Sequence, residues 1–564
     1  MNKKLKNLKD KFKKFNIDGY IVPKNDDYFT EYSKINRLKI ISNFSGSAGL
    51  AIILKRKNYL FTDGRYTIQS QIESGRNFKI IDYEKIINCN LFKNLTLGID
   101  PKLFTYDQIK KFFLKNNKIK FIDQNLIDGI KKEKINDNFP FFSLNKNIVG
   151  ESYISKINKI SKYLKKNKSD YLFVSAPENV AWILNIRGKD GPNSPVPNSR
   201  LIISKTKKVF LISKIQKAKN LIKEKIIRSN ELININDFPK KIIQLKGKNF
   251  IIDGKSCSIF YENIIKSKFK IIKREDPSYL FKSIKNKTEI KNMINAHILD
   301  GAALTKFIYW IKNINKKQIT EVDAQNKLEK FRKINKNYLY PSFDTIAGSG
   351  KNGAIVHYRA KKGKCRIIRK KDIFLCDSGG QYKYGTTDVT RTICFSNPKP
   401  YIKDIFTKVL KGHIAVTNTN LKKNNIGKKI DARARKFLKK SNLDYAHGTG
   451  HGVGFFLNVH EGPQSISKFN KVRIKEGMIL SNEPGYYKKD HFGIRIENLV
   501  FVKKINKNIS FKNLTLVPIE KNLINFNLLT SLEKDYLFKY HLNVYSKISK
   551  FLNLKERKWL ASFI

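Results

Sequence analysis

Two stretches decide how this chain is read: LCDSGGQYKYGTTDVTRTI, Leu375 to Ile393, and LSNEPGYYKKDHFGIRIENLVFV, Leu480 to Val502. Each runs from an apolar segment through an acidic residue into a group of turn formers, then through a second acidic residue into another apolar segment. In the first, Asp377 and Asp388 stand eleven residues apart with Gly379, Gly380 and Gly385 between them. That pattern suits two neighbouring strands of a hairpin whose side chains converge. In the second, Glu483 and Glu497 stand fourteen apart, again with turn residues between strand-like runs. Between the two stretches lies HGTGHGVG, His447 to Gly454, where the glycines beside His451 let backbone approach a ligand closely.

Singly, each of these residues has an ordinary explanation: an Asp before Ser-Gly-Gly forms turns, a Glu before Pro is a common loop pair, and one histidine satisfies a backbone group. Jointly they offer four carboxylates and one imidazole to one point. Four carboxylates a few ångströms apart cannot all ionise without compensation, and two divalent cations would balance them. Such a pair forms a hydrolytic site that lowers the pKa of a water and polarises a carbonyl. Oxygen donors with one imidazole favour Mn²⁺, with Co²⁺ or Zn²⁺ as alternatives.

The 564 residues are enough for about three or four structural units. With 41% hydrophobic residues, 15 Pro and 30 Gly, the chain has the composition of a folded protein. Its longest apolar runs, such as Gly49 to Leu54, are strand-sized, so no membrane span is expected. The amino-terminal residues lack the apolar core of a secretory signal; Leu5, Leu8, Phe12 and Phe15 recur instead on one face of a helix. Five cysteines, at 89, 257, 365, 376 and 394, follow no ligand spacing and suggest a reducing cytoplasm. The formal charge of +66 raises nucleic acid as a partner. However, the lysines are spread through the chain together with Asn and Ile, as an A/T-rich coding bias would produce, and nucleic acid is not expected.

The first ~145 residues alternate strand and helix patterns, with strands at Asp18–Pro23, Gly49–Leu54 and the run from Asn58 and a helix over Leu103–Lys115. A second cycle begins near Gly150, with strands YLFVSA, RLIISK, KVFLIS and NFIIDG, and reads as another copy of the same α/β architecture. The loop RGKDGPNSPVPNSR, Arg187 to Arg200, reads as a surface loop or a rim. From about Ile284 a long helix follows, then a second one capped by Thr320. The expected domains are 1–148, 149–284, 285–505 and a carboxyl-terminal extension, 506–564.

At the ligand stretches, and at SFDTIAGSGKNGAIVHYRA (Ser342 to Ala360), KVLKGHIAV (Lys408 to Val416) and DYAHGTGHGVGFFLNVHEGPQ (Asp444 to Gln464), the sequence resembles the pita-bread metallopeptidases, in particular their long, three-domain Xaa-Pro aminopeptidase branch. The resemblance implies two creatinase-like α/β domains followed by a pita-bread catalytic domain. It implies Asp377, Asp388, His451, Glu483 and Glu497 as metal ligands, with Asp388 and Glu497 bridging. It implies Glu483 as general base, His357 as substrate-orienting, His460 as stabilising the reacting carbonyl, and His447, Tyr487 and Arg495 around a pocket for the proline ring. Arg495 also has a structural alternative, holding a ligand carboxylate. The implied substrates are peptides beginning Xaa-Pro, and the implied assembly is a homodimer. Prolidase, restricted to dipeptides, and a catalytically silent pita-bread binding protein are the competing readings. Tyr384 and Lys351 depart from the family pattern, both in turns.

Overall fold

A computed structural model describes residues 3–87, 91–130, 139–314 and 319–564; Cys89 lies outside them. The chain forms two compact units, Met1–Tyr279 and Leu280–Ile564.

The first unit contains two six-stranded mixed sheets of the same topology. In one, the spatial order is Lys79–Asp82, Asn58–Thr62, Leu50–Leu54, Gly19–Pro23, Thr96–Ile99 and Lys118–Phe121. In the other it is Leu232–Asn234, Val209–Ser213, Arg200–Ser204, Tyr171–Val174, Asn249–Ile252 and Lys270–Lys273. Both read parallel, antiparallel, antiparallel, parallel, parallel across the sheet. The expected second copy of the architecture is therefore present at the level of strand order. The inner strands GYIVP, YLFV and RLIIS are buried along their whole length, which is why they read as continuous apolar runs. The outer strands KIID, KIKF and KIIK open on lysine and are partly exposed, which discourages edge-to-edge pairing with other chains.

Some sequence expectations need correction. The amino-terminal helix is broken at Asp10 into Lys3–Lys9 and Lys11–Lys14, although Leu5, Leu8 and Phe12 are buried as its periodicity requires. The helix expected over Leu103–Lys115 is confined to Tyr106–Phe112, started by a Thr105–Gln108 capping box. The Arg187–Arg200 loop is not a plain surface loop: Arg187, Asp190, Asn193, Ser194, Val196 and Ser199 are buried, and the Asp190 carboxylate accepts from the Asn198 backbone N–H and from Lys217.

The second unit begins with a 27-residue helix, Lys287–Asn313, whose Asn286–Glu289 capping box satisfies its first turn. Glu321–Lys333 follows, capped by Thr320 as expected. The two helices are tied by a buried pair, Arg332 to Asp300, with Tyr382 also donating to Asp300. The site-bearing framework is antiparallel: a three-stranded sheet of Ile346–Ser349, Ile373–Ser378 and Val389–Cys394, and a five-stranded sheet ordered Glu461–Ile466, Gly450–Gly452, Ile479–Asn482, Asn498–Ile505, Asn508–Asn513. The carboxyl-terminal helix Ser531–Ile548 caps its own unit, burying Leu537, Tyr540, Val544 and Ile548. Among the described residues no helix is long and apolar enough to cross a membrane, and Cys257, Cys365, Cys376 and Cys394 are free thiols.

Candidate metal centre

Two hairpins deliver the four carboxylates. Asp377 lies near the end of Ile373–Ser378, opposite Thr390, and Asp388 immediately precedes the return strand Val389–Cys394. Glu483 immediately follows Ile479–Asn482 and Glu497 immediately precedes Asn498–Ile505, with Asn482 opposite Asn498. Between each pair the chain makes a smaller excursion, Gly380–Tyr382 with Gly385–Thr386 in the first hairpin and Gly485–Lys488 with Phe492–Arg495 in the second. The carboxylates thus sit at corresponding places, where the main ladder stops and the excursion begins. His451 joins them from Gly450–Gly452, beside Ile479–Asn482. A Cβ at Gly450 would collide with the Ser481 carbonyl, so glycine permits that approach.

One oxygen or nitrogen each from Asp388, His451 and Glu497 lie within 4.8 Å of one another. Glu483 joins through His451, whose Nε2 is 3.5 Å from Glu483 Oε1 and 3.5 Å from Asp388 Oδ2. His451 Nδ1 donates to the Gly452 carbonyl at 3.0 Å, which fixes the ring and aims Nε2 at the carboxylates. Asp377 enters through Arg495, whose Nη2 donates to Asp377 Oδ2 at 2.5 Å.

Burial and mutual repulsion set the electrostatics. Desolvation, with the charges of Asp388 and Glu483, raises Asp377 to about 7 despite Arg495. Desolvation raises Asp388. It also raises Glu497 far above the carboxylate range, with Asp388, Glu483 and Asp377 adding to the effect. Glu483, also desolvated, is nevertheless held low by His451, His447 and Arg495. Burial opposes the charge on His451, but Asp388 and Glu483 outweigh it and lift the imidazole to about 9. This is a local excess of negative charge. Asp377 Oδ1 has no hydrogen-bond partner although it is buried, an orphaned acceptor of the kind a cation satisfies. The donor set therefore fits divalent metal.

The other expected residues fall into two groups. His447, Tyr487 and Arg495 form a continuous chain: Arg495 Nη1 donates to the Tyr487 hydroxyl at 2.6 Å, and that hydroxyl lies 2.9 Å from His447 Nε2. His447 Nδ1 is 2.7 Å from the Gly448 carbonyl and so carries the proton, leaving Nε2 to accept from Tyr487. Burial pushes His447 down to about 4, keeping it neutral. Arg495 holds Asp377, the structural alternative weighed for it, and its other amino group donates to Tyr487. His460 stands with its ring centroid 4.2 Å from that of His451. The next residue, Glu461, is buried against Lys282 and Lys285, anchoring the segment that carries His460. His357 is half-buried, just after the short helical turn Gly350–Ala354.

Several residues that organise the site were not singled out in the sequence. Thr390 Oγ1 donates to Glu497 Oε2 at 2.7 Å and accepts from Arg495 Nε at 3.0 Å. Its position two residues after Asp388, on the same strand face, was the available signal. Ser481 Oγ donates to Glu483 Oε1 at 3.0 Å and accepts from the His451 backbone N–H at 2.9 Å. His413 Nδ1 donates to the carbonyl of Asn482, and Asn482 returns a bond to the His413 carbonyl, fixing the residue before Glu483. Arg391 is buried without a carboxylate partner among the described residues. It donates to the carbonyls of Glu497, Thr390, Val517 and Pro518 and to Asn498 and Tyr540.

Comparisons with known proteins agree with this geometry. Residues 291–504 match the pattern of metallopeptidase family M24 and 507–562 its C-terminal region. Residues 4–129 and 131–289 each match a creatinase/prolidase N-terminal domain. Xaa-Pro aminopeptidase 1 of Dictyostelium discoideum is 36% identical over 100% of this chain and 96% of its own length. A probable Xaa-Pro aminopeptidase P of Laccaria bicolor is 35% identical over 99% and 92%. Among solved structures, X-prolyl aminopeptidase from Caenorhabditis elegans, described as a cytosolic enzyme with a di-nuclear active site, superimposes with a TM-score of 0.91, 28% identity and coverage of 99% of this chain and 98% of that one. The prolidase of Pyrococcus horikoshii matches 65% of this chain and 99% of its own, with a TM-score of 0.52 and 26% identity.

Proposed function

Because the chain belongs to metallopeptidase family M24, in its Xaa-Pro aminopeptidase branch, we propose that it removes the first residue from peptides with proline in second position. The observation that carries this is the convergence of four carboxylates and His451 at the mouths of two hairpins, within a chain alike over its whole length to Xaa-Pro aminopeptidases.

Asp377, Asp388, His451, Glu483 and Glu497 would hold two divalent cations, Mn²⁺ first among them, with Asp388 and Glu497 the ligands we assign as shared. Bound there, the cations would supply a water of lowered pKa and an electrophile for the scissile carbonyl. Glu483 keeps Oε1 on Ser481, leaving Oε2 to take and return a proton as general base. His460 steadies the carbonyl oxygen as charge develops, and His357 orients the substrate's amino end. A bond to proline is a tertiary amide without an N–H, and its fixed ring needs a dedicated space. Tyr487, with its hydroxyl held between Arg495 and His447, forms a rigid wall for that space. We also assign a homodimer and a cytoplasmic location, the latter in line with the cytosolic description of the nematode enzyme.

A peptide panel with Mn²⁺ present tests the reading. Xaa-Pro-Yaa should be cut with many residues at Xaa, Xaa-Ala-Yaa far more slowly, and amino-terminally acetylated peptides not at all. Equal rates on Pro and Ala would refute the assignment, and cleavage confined to Xaa-Pro dipeptides would make the protein a prolidase.

A further inference from the structure

The first unit contains a cavity of about 450 Å³, a volume typical of small-molecule sites. Six cationic side chains line it against three carboxylates. Arg37 is paired with Asp128, outside the lining, and with Asp27, and Lys217 is paired with Asp190. The third carboxylate, Asp26, accepts from the Thr30 hydroxyl and from the backbone N–H groups of Tyr28 and Thr30.

Arg200 is left without such a partner. It is 3% exposed, and among the described residues no carboxylate pairs with it. Its guanidinium carbon lies 4.1 Å from the ring centroids of both Tyr28 and Tyr261, and it donates to the Asp27 carbonyl. Aromatic rings offset part of the desolvation of a buried cation, but a charge buried without a counter-ion remains costly. A guanidinium held against two rings keeps N–H donors on its fork, the geometry that suits phosphate oxygens. Lys102, over the Phe260 ring at 5.0 Å, brings a second cation to the same wall.

We propose that this cavity is a binding site for a small phosphate-bearing anion, with Arg200 and Lys102 taking the phosphate and Tyr261 and Phe260 facing its organic part. A phosphate monoester matches Arg200 and Lys102 because it carries nearly two charges and three acceptor oxygens.

Isothermal titration of the full-length, metal-loaded protein at low salt would use inorganic phosphate, AMP and adenosine as probes. The expected result is one saturable site for phosphate and for AMP, tighter for AMP, and no binding of adenosine. Arg200→Gln and Lys102→Glu should each weaken AMP at least tenfold, whereas Lys57→Gln on the exposed surface should leave it unchanged. If Arg200→Gln does not fold, Lys102→Glu decides alone. The proposal is overturned if neither phosphate compound saturates or if adenosine binds as well as AMP. It is also overturned if binding survives both cavity substitutions, which would place it at the metal centre, or if it falls equally in Lys57→Gln, which would make it diffuse attraction to a +66 surface.

Discussion

In the second unit four carboxylates converge on one guanidinium and one imidazole, whereas in the cavity of the first unit Arg200 is buried with no carboxylate paired to it among the described residues and Lys102 stands on the same wall. Burial makes either imbalance unfavourable unless a counter-ion neutralises it. The sign of the excess therefore distinguishes what each region accepts: cations at the hairpin mouths, an anion in the cavity. Net charge conceals this, since a chain of +66 has its negative surplus gathered at one buried point. Other buried cations are satisfied in place, Arg332 by Asp300 and Arg435 by Asp431, and Arg391 by backbone carbonyls, Asn498 and Tyr540.

The largest effect that could break this contrast is metal removal. Chelation should reduce peptidase turnover to background, and Mn²⁺ or Co²⁺ should restore it; full activity in a demonstrably metal-free sample would refute a cation-balanced centre. Glu497→Gln deletes one bridging charge and should lower both bound metal and turnover, the latter by roughly 100-fold or more, as read by elemental analysis and kcat.

Arg495→Met sharpens the contrast from the other side, by removing the only guanidinium paired to Asp377 among the described residues. Breaking a buried pair costs about 3–5 kcal/mol. The loss should be largest in metal-free protein and smaller when cations replace the missing charge. Chemical denaturation with and without metal measures the difference, and equal losses would show that Arg495 acts only by packing.

Thr390→Val is a smaller change. It keeps the shape but removes the hydroxyl shared by Glu497 and Arg495. Metal affinity should fall roughly 10-fold with little change in the fold, measurable by competition with a fluorescent chelator. Unchanged affinity would exclude a positioning role for Thr390.

The smallest effect separates the units by pH. His541 in the second unit is buried, accepts from the Ile519 N–H, and is pushed down to about 4 by desolvation. Its folded pKa lies below the unfolded one, so its contribution is present above about pH 6.5 and is lost as pH falls toward 4, about 2 kcal/mol by pH 5. Asp276 in the first unit is raised to about 6, again by desolvation. Its contribution has the opposite sign, present below its unfolded pKa and lost as pH rises through 6. His541→Gln should therefore flatten acid destabilisation, and Asp276→Asn should flatten loss at rising pH. Urea midpoints between pH 4.5 and 7.5 test both, and parallel slopes in the two variants would contradict the assignment.

Much of the fold was legible because its signals are local. Continuous apolar runs marked the central strands, and Thr320 marked a helix start. The break at Asp10 and the short helix Tyr106–Phe112 were missed because helical periodicity continues past the point where tertiary packing ends an element. The Arg187–Arg200 loop looked exposed because Gly, Pro and Asn mark turns without indicating whether a turn is covered.

By itself the sequence determined which residue types could meet: acidic residues at the ends of hairpin strands, a histidine among glycines, and the strand patterns that repeat in the first unit. Only the tertiary structure decided which groups balance one another. Arg495 reaches Asp377, 118 positions away in the chain, and Thr390 bridges Arg495 to Glu497. Arg200 was left against two tyrosine rings, with no carboxylate paired to it among the described residues. Strand and helix periodicity are carried by neighbours along the chain, whereas charge compensation depends on distance and burial in three dimensions, which spacing along the chain does not encode.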